Sequence, residues 1–217
     1  MRTTLQASHP RFRLLRACLL AFVVLAVVIP GVAPAAPEPA PVATRWEFSF
    51  ENGPMRLVWI DTGEGPRAYF YLTYRITNYW GSDLLFAPDV QLVTDTGEVQ
   101  RSGHDVSADV TQQVLDMLDN PLIESQINIL STVLEGPEHA RDGVAIWPAK
   151  DLDVDEVTVY FGGLSGEQET YVVGRETDNP TRYRLRKTLM LRYSTPGEIA
   201  NRGSRPLELA EKRWVMR

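Results

Sequence analysis

The chain has 217 residues, of which 44% are hydrophobic, 23% are charged and 9% are aromatic, and it contains one cysteine. These proportions are typical of a globular protein, and they exclude disordered, collagen-like and disulfide-stapled classes. The formal net charge of −6 disfavours a nucleic-acid partner, because phosphate neutralisation dominates that kind of affinity.

The first 35 residues have the pattern of an export signal. Arginines at positions 2, 11, 13 and 16 have no acidic residue among them, and an apolar run occupies residues 14–29. Ala33-Pro34-Ala35 offers a small-x-small cleavage pattern, so we expect a signal helix that is cleaved after Ala35. The apolar run has 16 residues, fewer than the roughly 20 that a membrane span needs. An uncleaved membrane anchor is the alternative.

Removal of this leader changes the charge and the available chemistry. Four of the 22 basic residues leave and all 28 acidic residues stay, so the remaining formal charge is 18 minus 28, or −10. Cys18 leaves as well, so no thiol remains as a nucleophile or metal ligand. The protein is expected to be exported, to the periplasm or the extracellular space. It would meet a membrane only through an uncleaved N-terminal segment.

Residues 36–44 are rich in proline and alanine and predict an extended linker, and residues 45–217 are expected to form one domain. In that domain, apolar and polar residues alternate over short segments separated by Gly, Pro, Asn and Asp, which is typical of strands and turns. Asn52-Gly53-Pro54 is predicted to be a turn. Strands are predicted at residues 46–50, 55–60, 67–78, 84–86, 90–94, 98–101, 143–147, 156–161, 169–173, 182–193 and 214–216.

One segment has the period of a helix. Apolar residues at positions 110, 114, 117 and 118 fall on one stripe, Ser107 or Asp109 can cap its start, and Asp119-Asn120-Pro121 is expected to end it. Residues 121–134 fit a helix or a strand, and we favour a helix entering this segment and a strand leaving it near residues 131–135. The helical insertion is therefore placed at about residues 107–128. The whole pattern predicts a mainly β, antiparallel β-sandwich with one helical insertion.

Several strand-and-turn sequences carry a family resemblance, namely residues 71–78, 92–97 and 143–148, the last of them preceded by the loop Glu135-Gly136-Pro137-Glu138. They resemble the immunoglobulin-like, telokin-type β-sandwiches of exported bacterial proteins. The resemblance extends from Trp46 to Trp214 and includes residues 162–166 and 186–189. It implies an immunoglobulin-like sandwich and an exported location, and it carries over no catalytic residue.

Residues 36–217 contain few side chains that could act in catalysis or bind a metal ion. His104 and His139 have no metal-binding spacing, so we favour solvated loop residues over a metal ligand or a catalytic base. Asp151, Asp153 and Asp155 are not followed by the glycine and glutamate of a calcium loop, and we favour a solvated loop over weak calcium binding. We therefore predict no catalytic residue, no metal and no cofactor.

Arginines that alternate along one predicted strand form a candidate binding site. They share a face and could bind carboxylates or phosphates bidentately, although we favour pairing with acidic neighbours in the sheet. These residues are Arg182, Arg184, Arg186 and Arg192.

Aromatic residues form the second candidate. Tyr79 and Trp80 lie in a predicted turn, either as a contact surface for a sugar or a protein or folded back on the sandwich. Gly163 and its neighbours are expected to be a turn between strands. The other tryptophans lie in predicted strands and are expected in the core: Trp46, Trp59, Trp147 and Trp214.

These features favour an exported, non-catalytic β-sandwich that serves as a protein-interaction or structural module of the cell envelope. The alternative is a carbohydrate- or anion-binding module that uses Tyr79 and Trp80 or the arginines. A second alternative is a carboxylate-based hydrolase, which needs two carboxylates about 5–9.5 Å apart in a cleft. The expected partner is an envelope protein or a glycan.

Overall fold

The structure is a computed structural model, and it describes residues 37–174, 179–195, 197, 199–201 and 203–217. The export signal expected at residues 1–35 lies outside the described residues. Within them, no helix is long and apolar enough to cross a membrane.

The described residues are mainly β, and every strand predicted from the alternation is present. One α-helix, α1 (Ala108–Leu118), occurs among the described residues, and a 3-10 turn at Ile199–Asn201 precedes the last strand. The strands are β1 (Phe48–Asp61), β2 (Pro66–Asn78), β3 (Leu84–Phe86), β4 (Asp89–Thr94), β5 (Val99–Arg101), β6 (Ile123–Glu124), β7 (Ser131–Val133), β8 (Gly136–Pro148), β9 (Glu156–Gly162), β10 (Gln168–Val173), β11 (Thr181–Ser194) and β12 (Glu208–Met216).

Two larger sheets and one small pair organise these strands. The first sheet has the order β1-β2-β8-β6, in which β6 runs parallel to β8 and the other neighbours are antiparallel. The second has the order β10-β11-β9-β4-β5, with β12 on the other edge of β11, and all its neighbours are antiparallel. β3 pairs with β7. The prediction of a mainly β, antiparallel fold is confirmed.

The two larger sheets share one hydrophobic core. Leu72 and Trp147 of the first sheet are buried in the same cluster as Val159 of the second. Tyr74 in β2 meets Phe161 in β9 edge to face, with ring centroids 4.7 Å apart. The sheets therefore pack face to face in a sandwich-like arrangement, because each has an apolar face to bury.

Helix α1 covers the opposite face of the first sheet. Val110 and Val114 are buried there in a second cluster with Tyr71. Ser107 Oγ accepts a hydrogen bond from the Val110 N–H at 3.2 Å and caps the helix, and Asp119 ends it in a left-handed conformation. The predicted helix and both of its ends are confirmed.

The segment after α1 differs from the prediction. Residues 121–130 contain no helix, so the helical insertion ends at Leu118 and not near residue 128. Ile123 and Glu124 pair with β8 instead, and Ile129 is fully buried in the main core. Tertiary contacts thus outweigh the local helical spacing. The strand predicted at the end of the segment is confirmed as β7.

Three other local predictions are wrong. Asn52-Gly53-Pro54 is a bulge within the single strand β1, where a Cβ on Gly53 would come within 2.1 Å of Thr73 Oγ1. The loop expected at residues 135–138 is largely strand, because β8 begins at Gly136, paired with Asn78. Trp59, expected in the core, is 49% exposed. Of the other tryptophans expected in the core, Trp147 is buried, and Trp46 and Trp214 pack against the core.

Tyr193 on β11 places its hydroxyl in the main core. No described residue forms a hydrogen bond with that hydroxyl. Burial raises the pKa of Tyr193 above its ordinary value. The folded state therefore disfavours the phenolate, so the stability that this group contributes is complete below about pH 10 and is lost as the pH rises further.

We expect Tyr193→Phe to leave the free energy of unfolding unchanged, or to raise it by up to about 1 kcal/mol at neutral pH, because it removes a buried hydroxyl that no described residue pairs with. Above about pH 10 the variant should lose less stability than the wild type, since phenylalanine carries no proton to lose. Urea unfolding at neutral and alkaline pH measures both effects. A clear loss of stability at neutral pH would show that the hydroxyl has a partner.

Candidate functional site

A two-stranded hairpin extends past its neighbours at one end of the second sheet. It consists of β10 and residues 181–186 of β11, and we call it the arm. β12 pairs with β11 from Lys187 onward and β9 from Leu189 onward, so the register pairs residues 181–186 with β10. No described strand lies on the other edge of β10. Every side chain of the arm is exposed or half-buried, so both of its faces are accessible.

The two faces of the arm differ in chemistry. Arg182, Arg184 and Arg186 lie on one face, opposite Val172, Thr170 and Gln168 in the register. The other face carries Tyr183, which is 51% exposed, and Val173, which is 46% exposed. Alternation along each strand produces this division, because successive side chains point to opposite faces. The arm is therefore basic on one side, and its other side combines apolar side chains with Glu169.

The predicted arginine row separates into two parts. Arg192 is ion-paired inside the sheet, with its Nε 3.3 Å from Glu156 Oε1 and its Nη1 3.1 Å from Glu211 Oε2. In contrast, the ion pairs formed among the described residues include none from the arm arginines. Among the residues that the structure describes, the internal pairing that the sequence favours for the whole row is therefore found for Arg192 and not for the arm arginines. Their guanidinium groups have no ion-pair partner among these residues that would compete with another molecule.

A small cleft lies beside the base of the arm. It has a volume of about 200 Å³ and is lined by Arg186, Arg217, Tyr160 and Asp89, among others. The Arg217 guanidinium lies 4.0 Å from the centroid of the Tyr160 ring. The carboxylate of Asp89 makes this cleft a weaker anion site than the basic face of the arm.

The base of the arm is fixed by a buried cation. Lys187 is 2% exposed, and its Nζ lies 2.9 Å from Glu47 Oε2 and 3.4 Å from Glu167 Oε2. The same ammonium donates to the carbonyl of Ala40 at 3.2 Å, and the Ala40 N–H donates to Glu167 Oε1 at 2.8 Å. The segment expected to be a linker is therefore bound to the domain at Ala40. The sequence gives no signal for this cluster, because its members are far apart in the chain.

Tyr79 and Trp80 lie on the surface. Tyr79 is 62% exposed and Trp80 is 44% exposed. The buried Asn78 holds their turn: its Oδ1 accepts from the Trp80 N–H at 3.0 Å, and its Nδ2 donates to the Ser82 carbonyl at 2.8 Å. The turn is thus a fixed aromatic surface and is not folded into the core.

The other expected sites do not converge. No group of three or more His, Cys, Asp or Glu side chains able to hold a metal ion occurs among the residues that the structure describes. His104 is exposed beside Asp105, and His139 lies in strand β8 and not in a loop. The Asp155 N–H donates to Asp95 Oδ2. Gly163 adopts a positive φ of 86° in the expected turn.

The pocket that brings carboxylates together has a volume of about 270 Å³ and includes Glu51, Asp142 and Arg75 among its lining residues. Arg75 binds Asp142 with two hydrogen bonds, of 2.7 and 2.8 Å. Both carboxylate oxygens of Asp142 accept hydrogen bonds from Arg75, so neither is free to attack a substrate. The arrangement does not favour a hydrolase.

No known protein family, curated protein or solved structure matches the chain. Its function therefore has to be inferred from its own residues.

We expect Lys187→Ala to lower the free energy of unfolding by about 3–5 kcal/mol, because it leaves two largely buried carboxylates without their cation. Lys212→Ala, at an exposed position on β12, should cost less than about 1 kcal/mol. Urea unfolding of both variants measures the difference. Adding Glu47→Gln and Glu167→Gln to Lys187→Ala should recover part of the loss, and equal losses in the two lysine variants would refute a structural role for the cluster.

Proposed function

We propose that this protein is exported and acts as a non-catalytic interaction module of the cell envelope, and that the arm binds an acidic partner protein. The observation that carries the proposal is the row of arm arginines, which form no ion pair among the residues that the structure describes. The chain as a whole is acidic, with a formal net charge of −6. A basic surface on an acidic protein steers and selects an acidic partner.

The geometry of the arm suits an extended acidic segment. Alternate residues on a strand are about 6.6–6.8 Å apart, so carboxylates at alternate positions of a partner strand match the spacing of the arginines. Guanidinium groups bind carboxylates in a two-pronged manner, which adds orientation to attraction. The open edge of β10 provides backbone donors and acceptors for strand addition. Tyr183 and Val173 offer apolar contact on the other face.

We also propose that the domain has an immunoglobulin-like topology, which is supported by two mainly antiparallel sheets that share a core. Export is supported by the arginines and the apolar run at the start of the sequence. An exported domain with an N-terminal export signal would meet its partner in the cell envelope.

A carbohydrate- or anion-binding module is the second candidate, and the fixed, exposed Tyr79 and Trp80 are the observation that favours it. Aromatic faces suit sugar rings as well as proteins. The arm is the stronger feature, because it combines charge, apolar contact and open strand edges in one element.

The proposal is tested by affinity capture of the tagged protein from its native envelope, with quantitative mass spectrometry of the proteins that co-purify. The charge-reversal variant Arg182→Glu/Arg184→Glu/Arg186→Glu should recover the partner at least about tenfold less well than the wild type. Higher salt should weaken capture by the wild type, because exposed charges are screened. Tyr183→Ser should weaken capture independently of charge.

A matched control is available in Arg75→Glu/Lys212→Glu/Arg213→Glu, which changes the net charge equally at exposed positions away from the arm. This variant should capture the partner as the wild type does. Retention of the same proteins by the arm variant, or an equal loss in the control, would contradict docking through the arm. Binding of glycans in place of any specific protein would favour the second candidate.

A further inference from the structure

Trp59 is exposed because of its place at the end of the first sheet. Met55, Leu57 and Trp59 share one face of β1, and the first two are buried in the main core. Trp59 is the next residue on this face, and it is half exposed. Its cross-strand neighbour is Ala68, which is too small to cover an indole. Tryptophan side chains are ordinarily well buried, so an exposed indole on a strand is a candidate contact for a ligand.

The indole forms one wall of a groove with a volume of about 620 Å³. Pro148 and Leu152 continue the apolar wall, and Arg67, Asp105 and Lys150 supply polar atoms. A second depression of about 360 Å³ continues from it, shares Asp105 and Lys150, and adds His104 and Arg101. These volumes lie within the range of about 300–1,000 Å³ that is typical of small-ligand sites.

The charges along this groove are paired with one another. Arg67 Nη2 lies 2.6 Å from Glu64 Oε2, Lys150 Nζ lies 3.0 Å from Asp105 Oδ2, and Arg101 Nε lies 3.4 Å from Asp89 Oδ1. These three ion pairs together carry no net charge, in contrast to the arginine row of the arm. The groove and its neighbouring depression therefore offer hydrogen-bond donors and acceptors close together, which favours a ligand that is rich in neutral hydroxyl groups.

The loop that carries Asp105 is held in place. The Gly103 N–H donates to the Ile146 carbonyl at 2.9 Å, and Ser102 Oγ donates to Gln126 Oε1 at 2.8 Å. Asp105 has a positive φ of 60°, which is uncommon for a residue other than glycine. The hydrogen bond from Lys150, followed by the nearby His104, lowers the pKa of Asp105, so this side chain remains an acceptor.

We propose that the Trp59 groove binds a neutral pyranose oligosaccharide. One face of a pyranose presents C–H groups that pack on an indole, while its ring hydroxyls can both donate and accept hydrogen bonds. The apolar wall and the paired charges match these two aspects. The site rests on a strand and a braced loop, so little order has to be gained on binding.

This inference is independent of the function proposed for the arm. The groove lies where β1 ends and β2 begins, at the pair Asp61 and Pro66. The base of the arm lies at the opposite end of β1, where Glu47 bridges to Ser165. The saccharide site can therefore be tested with the arm intact, and either proposal can fail without the other.

In the test, the purified protein is titrated with soluble cello-, chito-, malto- and xylo-hexaose. Binding is measured by calorimetry and by the quenching of tryptophan fluorescence with iodide. We expect at least one of these probes to bind the wild type and to protect a tryptophan from iodide. Trp59→Ala should weaken that binding at least about tenfold, and Trp59→Phe should retain part of it. The protection from iodide should be absent in both variants.

Leu85→Ala is the matched control, because Leu85 is an exposed apolar residue on β3 that does not line the groove. It should bind the same probe as the wild type does. Trp80→Ala is measured beside it, to separate binding in the groove from binding at the turn of Tyr79 and Trp80. Because Trp59→Ala exposes the edge of the core, the thermal midpoint of each variant is measured, and Trp59→Phe keeps the test valid if the alanine variant is unstable. The proposal is overturned if no probe binds at up to about 10 mM. It is equally overturned if Trp80→Ala, and not Trp59→Ala, abolishes binding.

Discussion

The buried ammonium group of Lys187 constrains how the two sheets meet. A buried cation is costly unless it is paired, and its partners here are Glu47, immediately before β1, and Glu167, immediately before β10. Trp214 of β12 lies beside it, with its ring centroid 5.1 Å from Nζ. One side chain therefore joins the first sheet to the second at the point where β11 passes from the core into the arm. The direction of the arm depends on this junction.

Alternation in the sequence predicts the strands but not their surroundings. The period of two along residues 182–193 correctly predicts that the arginines share a face of β11. It contains no sign that the first residues of this strand extend past β12 and β9, because that depends on where those strands begin and end. The exposure of Trp59 is missed for the same reason. Met55, Leu57 and Trp59 alternate regularly along one face of β1, but the buried core ends before Trp59. Exposure is a tertiary property, and it decides which residues can bind.

Local signals fail where a distant contact has the greater effect. Residues 121–130 have helical spacing, yet pairing of Ile123 with β8 and burial of Ile129 determine their course. Gly53 is typical of a turn, yet the close approach of Thr73 makes it part of a bulge. In contrast, Ser107 and Asp119 are local caps, and the ends of α1 follow from them directly. The reliability of each prediction therefore depends on how far in the chain its stabilising contacts lie.

The two candidate binding surfaces differ in the way their charges are compensated. Along the Trp59 groove each basic residue has an acidic neighbour, so an anionic partner gains no net attraction there. On the arm the guanidinium groups form no ion pair among the described residues, and an acidic partner is attracted over about a Debye length, which is roughly 8 Å at physiological ionic strength. The positive charge of the arm does not attract a neutral saccharide. Because the surfaces lie at opposite ends of β1, charge can direct two ligands to two places on one acidic domain without competition.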